Sequence, residues 1–258
     1  MSSPVHVEWD ENVGVITIDR PDQLNALTTE VNNLIFDHLT QLEEVGVTAI
    51  ILETTGDRAF VAGADLKEIH GMPDREFEAY QKNARKTNDY IREHPALVVA
   101  AVDGLAYGGG CELALVSDVV VADESAEFAV PEVKLGLVPG GGATQRLPDV
   151  VGPKKAKEML TTGKPISATE AKECGFVTRL VETGSANEAA QDLATEVTKN
   201  APLAVQEAKR LVNSSRNTPM ETGLSYEQEV TFTLYNTEDT QEGIDAFIND
   251  REPSFEGR

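Results

Sequence analysis

Two glutamates and two clusters of small residues are the places where this sequence could do chemistry. Gly108-Gly109-Gly110 leads into Cys111-Glu112-Leu113-Ala114-Leu115, and Glu132 follows Val130-Pro131 twenty residues after Glu112. Without Cβ atoms, consecutive glycines let backbone amides approach a ligand closely. The pattern predicts an apolar helix from Cys111, which puts those amides at a helix N-terminus, where unpaired N–H groups and the macrodipole favour developing negative charge. Glu112 falls in that first turn. Two carboxylates beside an oxyanion-type donor site suit acid–base chemistry next to a carbonyl. Taken singly, either glutamate is compatible with a solvated surface, but small and apolar neighbours imply partial burial and a raised pKa for both.

Other chemistries find less support. His6, His38, His70 and His94 are scattered, with neither H-x-x-x-H nor Cys-paired spacing, so no dedicated metal is expected. Ser117 has no nearby histidine and no G-x-S-x-G elbow. Gly163-Lys164 runs into Pro165 instead of completing a phosphate loop, and Leu113 breaks a G-x-G-x-x-G match at the glycine triplet. With 22 Lys+Arg against 44 Asp+Glu the net charge is −22, which argues against nucleic acid or an anionic membrane as partner. The charge is spread along regular apolar segments, so it reads as a folded, acidic, halophilic cytoplasmic protein and not as disorder. Cys111 and Cys174 form no disulfide framework, and no export signal or membrane span is expected.

The elements that must position these residues alternate. Val5, Val7 and Trp9, then Val13 to Asp19, read as an N-terminal hairpin. A helix is expected from Thr28, with Gly46 as its stop, and then a buried strand over Thr48 to Thr54. The small-residue turn in Phe60 to Ile69 precedes another helix; Asp74 is a candidate cap for a helix carrying Phe77, Tyr80, Ala84, Thr87 and Ile91, ended by Pro95. Strands over Leu97 to Val102 and Asp118 to Ala122 flank the glycine triplet. A third glycine-rich loop, Leu135 to Leu147, leads to a helix expected from Pro153. Ser167-x-x-Glu170 and Ser185-x-x-Glu188 read as capping boxes, and the remainder as helices interrupted near Pro202 and Pro219. Strand, small-residue turn and helix in alternation give an α/β fold.

Four segments together carry a resemblance: R-P-D-Q-L-N-A-L, F-V-A-G-A-D-L-K-E-I, G-G-G-C-E-L-A-L and F-A-V-P-E-V-K-L-G-L-V-P-G-G-G-A-T-Q-R-L. As a set they resemble the crotonase superfamily, specifically enoyl-CoA hydratases, from about Val5 to Phe255. The resemblance implies a crotonase-like spiral of repeated ββα units over residues 1–195 and a C-terminal helical trimerisation region over 196–258, in a homotrimer or homohexamer. It implies reversible syn hydration of a trans-2-enoyl-CoA to a 3-hydroxyacyl-CoA, with the acyl-CoA as substrate and no separate cofactor. The backbone N–H groups of Ala64 and Gly109 would hold the thioester oxygen, and Glu112 and Glu132 would handle water and proton. Gln23, Leu24, Ala26, Ala62, Asp65 and Lys67 would line the CoA. Asp22 stands where related segments often carry lysine, and Val130 where a polar residue is frequent. An enoyl-CoA isomerase, which needs only one carboxylate, and a non-catalytic acyl-CoA-binding protein are the alternatives.

Overall fold

The computed structural model describes residues 3–258. Strands β1 (Val5–Asp10) and β2 (Val13–Ile18) form the expected antiparallel hairpin, with Val5 opposite Ile18. Helix α1 (Thr29–Val45) starts where Thr28 Oγ1 accepts the Val31 N–H at 3.1 Å and stops where Gly46 turns to a φ of 83°. Strand β3 (Ala49–Thr54) and the short helix α2 (Leu66–Ile69) follow, then α3 (Asp74–Glu93) and β4 (Leu97–Val102). After β5 (Leu105–Tyr107) come α4 (Gly109–Val116), β6 (Val119–Asp123), β7 (Glu127–Ala129) and α5 (Ala143–Thr162). The chain continues through β8 (Ile166–Ser167), α6 (Ala168–Glu173), β9 (Arg179–Val181) and α7 (Ala186–Val197). Three helices close it: α8 (Pro202–Ser215), α9 (Met220–Tyr235) and α10 (Glu238–Ile248).

Six strands form one sheet in the order β1-β2-β3-β4-β6-β9, and every pairing after the hairpin is parallel. The apolar runs in β3 and β4 are continuous because both faces of the sheet are covered. Ile50, Leu52, Val98, Ala100 and Val102 join the core that contains Val31, Ile35, Leu39 and Leu42 of α1. Their alternating neighbours Ala49, Ile51, Val99 and Ala101 meet Ala186, Ala190 and Ala194 of α7. A second sheet, β5-β7-β8, is tied to the loops before it by single bridges at Ala59–Gly104 and Val61–Ala106.

Several expectations need correction. Helix α4 begins at Gly109 and not Cys111: a Cβ on Gly110 would meet Val61 O at 2.0 Å, so close packing here overrides the helix penalty of glycine, about 1 kcal/mol. Asp74 is the first helical residue of α3, and Pro73 takes the cap position. Helix α5 starts ten residues before Pro153; Gly152, at φ 79° and ψ 154°, kinks it and lets Pro153 open the second segment. Ser167 caps α6 through the Glu170 N–H at 3.2 Å, but Ser185 makes no side-chain cap. Strands β5, β8 and β9, each of three residues or fewer, were not expected.

One buried ion pair fastens the C-terminal helices to the sheet. Lys209 of α8 places Nζ 2.6 Å from Asp118 Oδ2 and donates to Ala96 O at 2.8 Å, while Asp118 accepts the Val98 N–H at 2.7 Å. Burial lowers the Lys209 pKa and raises that of Asp118, and each charge opposes the other's shift. Removing one partner strands the other charge, so Lys209→Met should cost about 3–5 kcal/mol in urea unfolding, and adding Asp118→Asn should restore most of it. Equal stability of wild type and Lys209→Met would show that the pair holds nothing.

Candidate active site

The backbone donors come from two loops stitched together. Leu27 pairs with Ala64 as a parallel bridge: the Leu27 N–H donates to Gly63 O and the Asp65 N–H to Leu27 O, both at 2.8 Å. Parallel geometry spends the groups of Gly63 and Asp65 on Leu27 and turns the Ala64 N–H to the opposite side. Gly63 takes a φ of 109°, open to glycine alone. Gly108, at φ 51°, lets β5 turn directly into α4, so the Gly109 N–H is an orphan of the first turn. A Cβ at Gly109 would lie 4.0 Å from Ala64 N, which brings the two segments side by side. Among the described residues neither the Ala64 nor the Gly109 N–H has a protein acceptor.

The two glutamates face the same space. Glu112, 5% exposed, accepts the Ala143 N–H on Oε1 at 3.0 Å, and a Cβ on Gly141 would lie 2.6 Å from its Oε2. Burial pushes its carboxyl up to about 7; the Ala143 and Gly141 N–H groups pull it back, and Glu132 adds repulsion. Glu132 opens a single 3-10 turn, Glu132–Leu135, and burial raises its pKa too. Its Oε2 is buried without a hydrogen-bond partner among the described residues, and Val130, two residues earlier in the chain, is fully buried and apolar. A Cβ at Gly108 would sit 3.0 Å from Glu132 Oε1, so the triplet gives this carboxylate its room.

Ala62, Ala64, Gly109, Glu112 and Glu132 line one cavity of about 190 Å³. Gln23, Leu24, Ala26 and Asp65 lie outside its lining on the adjoining segments, as does Lys67 in α2. Leu24, left-handed at φ 52°, accepts the Ala62 N–H at 3.0 Å, and Ala26 O accepts from the Arg20 guanidinium. Asp65 caps α2 through the Lys67 N–H at 3.1 Å and pairs with Arg20 at 3.2 Å; partial burial acts to raise its pKa, but these contacts hold it below the usual range. Lys67 is exposed.

Sequence reasoning missed one wall. Tyr80, Gln81, Ala84 and Asn88 of α3 border the cavity, and Tyr80 Oη donates to Leu27 O at 3.2 Å. Asn88 Nδ2 donates to Gly141 O at 3.2 Å, which steadies the loop that holds Glu112. The signal was present: Asn88 follows Ala84 by one helical turn, a polar residue on an apolar stripe.

A fold of this topology has close counterparts among known structures. The sequence profile of the enoyl-CoA hydratase/isomerase family matches residues 8–258, and the chain belongs to this family within the crotonase superfamily. It is 38% identical to the probable enoyl-CoA hydratase echA8 of Mycobacterium tuberculosis, over 98% of this chain and 97% of that protein. It is 36% identical to the short-chain-enoyl-CoA hydratase of Clostridium acetobutylicum, over 96% and 95% of the two chains. The crystal structure of an enoyl-CoA hydratase from Bacillus anthracis superposes with a TM-score of 0.96 at 36% identity, covering 99% of this chain and all of that one. The α/β crotonase fold expected from the sequence is the fold observed.

The Glu112 shift has a stability consequence. Its pKa in the fold, about 7, lies above its ordinary 4.5, so the folded state binds more protons between these values and stability falls as pH rises across them. Relative to Glu112→Gln, the wild type should lose up to about 3 kcal/mol between roughly pH 4.5 and pH 8, read by urea unfolding. A difference that stays flat with pH would show that this carboxyl is not desolvated.

Proposed function

We propose that this chain catalyses the reversible syn addition of water to a trans-2-enoyl-CoA, giving a 3-hydroxyacyl-CoA. The observation that carries the reading is the meeting, in one cavity, of two backbone N–H groups that have no acceptor among the described residues, one buried carboxylate and one half-buried carboxylate. The Ala64 and Gly109 N–H groups receive the thioester oxygen and stabilise the enolate charge that develops on it. Fixed donors in a dry site are worth about 10²–10³ in rate each. With the carbonyl held there, C2 and C3 of the enoyl group lie beside Glu112 and Glu132. A water between the carboxylates loses a proton as its oxygen bonds to C3, and C2 takes a proton from the pair on the same face.

The raised pKa values fit this traffic. A carboxyl near neutrality both accepts and returns a proton at little cost, whereas an ordinary surface glutamate holds one poorly at pH 7. The two groups share one water, so their titrations belong to the pair. The second carboxylate favours hydration over isomerisation, for which a single proton carrier is enough. Around the reaction centre, Gln23, Leu24, Ala26, Ala62, Asp65 and Lys67 are assigned to the CoA moiety, with Lys67 toward a phosphate. Large apolar side chains left open on the last two helices, including Phe232, Phe247 and Ile248 at 70%, 88% and 73% exposure, support assembly as a homotrimer or a pair of trimers.

Crotonyl-CoA should lose its conjugated enoyl-thioester absorbance when the protein is added, and 3-enoyl-CoA should isomerise far more slowly. Glu112→Gln and Glu132→Gln should each lower turnover at least about 10²-fold with the fold intact. Near-native turnover in either variant removes that residue from the mechanism. Light scattering should return the mass of a trimer or hexamer, and the mass of a single chain would contradict the assembly.

A further inference from the structure

The two ends of the cavity are built differently. At one end Ala62, Ala64 and Gly109 present bare backbone. At the other, the side chain of Gln81 lies against Gly140, with its Oε1 2.0 Å from where a Cβ on Gly140 would stand, so this closure needs glycine there. Gln81 and Gly140 are also the two residues that this cavity shares with an open groove of about 730 Å³ on the outer side of α3. A single side chain therefore separates the inner space from the outer. Asn83 and Asn88 on the same helix are tied to Thr29 O and Gly141 O, whereas Gln81 has no hydrogen-bond partner among the described residues.

We propose that Gln81, closed against Gly140, ends the acyl pocket and restricts this chain to short acyl thioesters. The inference rests on the hydratase reading, because the donors set the direction of the substrate. A carbonyl at Ala64 and Gly109 puts C2 and C3 at the glutamates, and Glu112 Oε2 in turn adjoins Gly141. The next carbons point toward Gly140 and Gln81, along walls that include Phe77, Leu137 and Val138. Beyond Gln81 the groove is open to solvent and sets charged side chains around Phe36 and Tyr90. Lys82 is paired with Glu78 at 2.6 Å, Arg85 with Asp89 at 2.8 Å, and Lys86 stands over the Phe36 ring at 3.4 Å. Methylenes would reach that groove only by displacing Gln81 from Gly140.

Binding of saturated acyl-CoA thioesters, followed by calorimetry, reads the wall without requiring turnover. Wild type should bind butyryl-CoA and hexanoyl-CoA at least about tenfold more tightly than dodecanoyl-CoA, the lower end of what a misfit methylene costs in a closed pocket. Gln81→Ala, which opens the wall, should erase most of that preference, and Gln81→Leu, which keeps it filled without the amide, should retain it. The proposal is overturned by a wild type indifferent to chain length, by an unchanged preference in Gln81→Ala, or by failure of every thioester to bind. Hydration of crotonyl-CoA by the wild type is scored separately. Should it be absent while Gln81 still controls chain length, the hydratase reading falls and the wall stands.

Discussion

Two backbone amides from distant parts of the chain, those of Ala64 and Gly109, lie on adjoining segments without an acceptor among the described residues, and much of the local architecture follows from that placement. The Leu27–Ala64 bridge consumes the hydrogen-bonding groups on either side of Ala64 and leaves its N–H turned away. Gly110 presses α4 against Val61 so closely that no other residue fits, and this contact fixes how far the Gly109 amide stands from the Ala64 loop. Strand β5, three residues long, exists to deliver Gly108 at the one backbone angle from which the helix can start at once. Glycine costs a helix stability, and here three of them are tolerated because donor placement and carboxylate clearance both depend on the missing Cβ atoms.

Burial of the carboxylates is the second half of the same arrangement. In a chain of net charge −22 most acidic groups are solvated, and their mutual repulsion is spread over the surface. Glu112 departs from this: it is enclosed, given the Ala143 N–H, and brought near a second, half-buried carboxyl. Desolvation raises both, and the amide partners of Glu112 keep its shift within reach of neutral pH. Glu132 is left with an Oε2 that has no hydrogen-bond partner among the described residues. Helix α3 supports both halves, since Tyr80 bonds the Leu27 carbonyl while Asn88 bonds the Gly141 carbonyl.

Much of this was legible in the sequence where the signal is local. The continuous apolar runs of β3 and β4, the Thr28 and Gly46 boundaries of α1, and the position of both glutamates beside small residues could be read directly. What escaped depends on distant partners. Strands β5, β8 and β9 are too short to show a period and exist only through pairing with strands elsewhere. The first half of α5 was hidden by Pro148 and by the glycines before it, because both residue types signal a loop until packing overrides them. Gln81 and the glycine-rich loop over 140–142 carry no local signal of a wall, and Asn88 shows only as a polar residue on an apolar stripe; their roles emerge when α3 is laid against that loop. The assignment of the CoA contacts came from family resemblance, since neither periodicity nor charge distinguishes Gln23 or Ala26 from any other loop residue.

The convergence of the Ala64 and Gly109 amides on one substrate oxygen is the claim on which the rest of the functional account depends. A crystal structure with a 3-hydroxyacyl-CoA bound tests it most directly. The account predicts the thioester oxygen about 2.7–3.1 Å from both backbone nitrogens, with the 3-hydroxyl between Glu112 and Glu132. A thioester carbonyl bound elsewhere, or held by only one of the two amides with its hydroxyl remote from the glutamates, would contradict it.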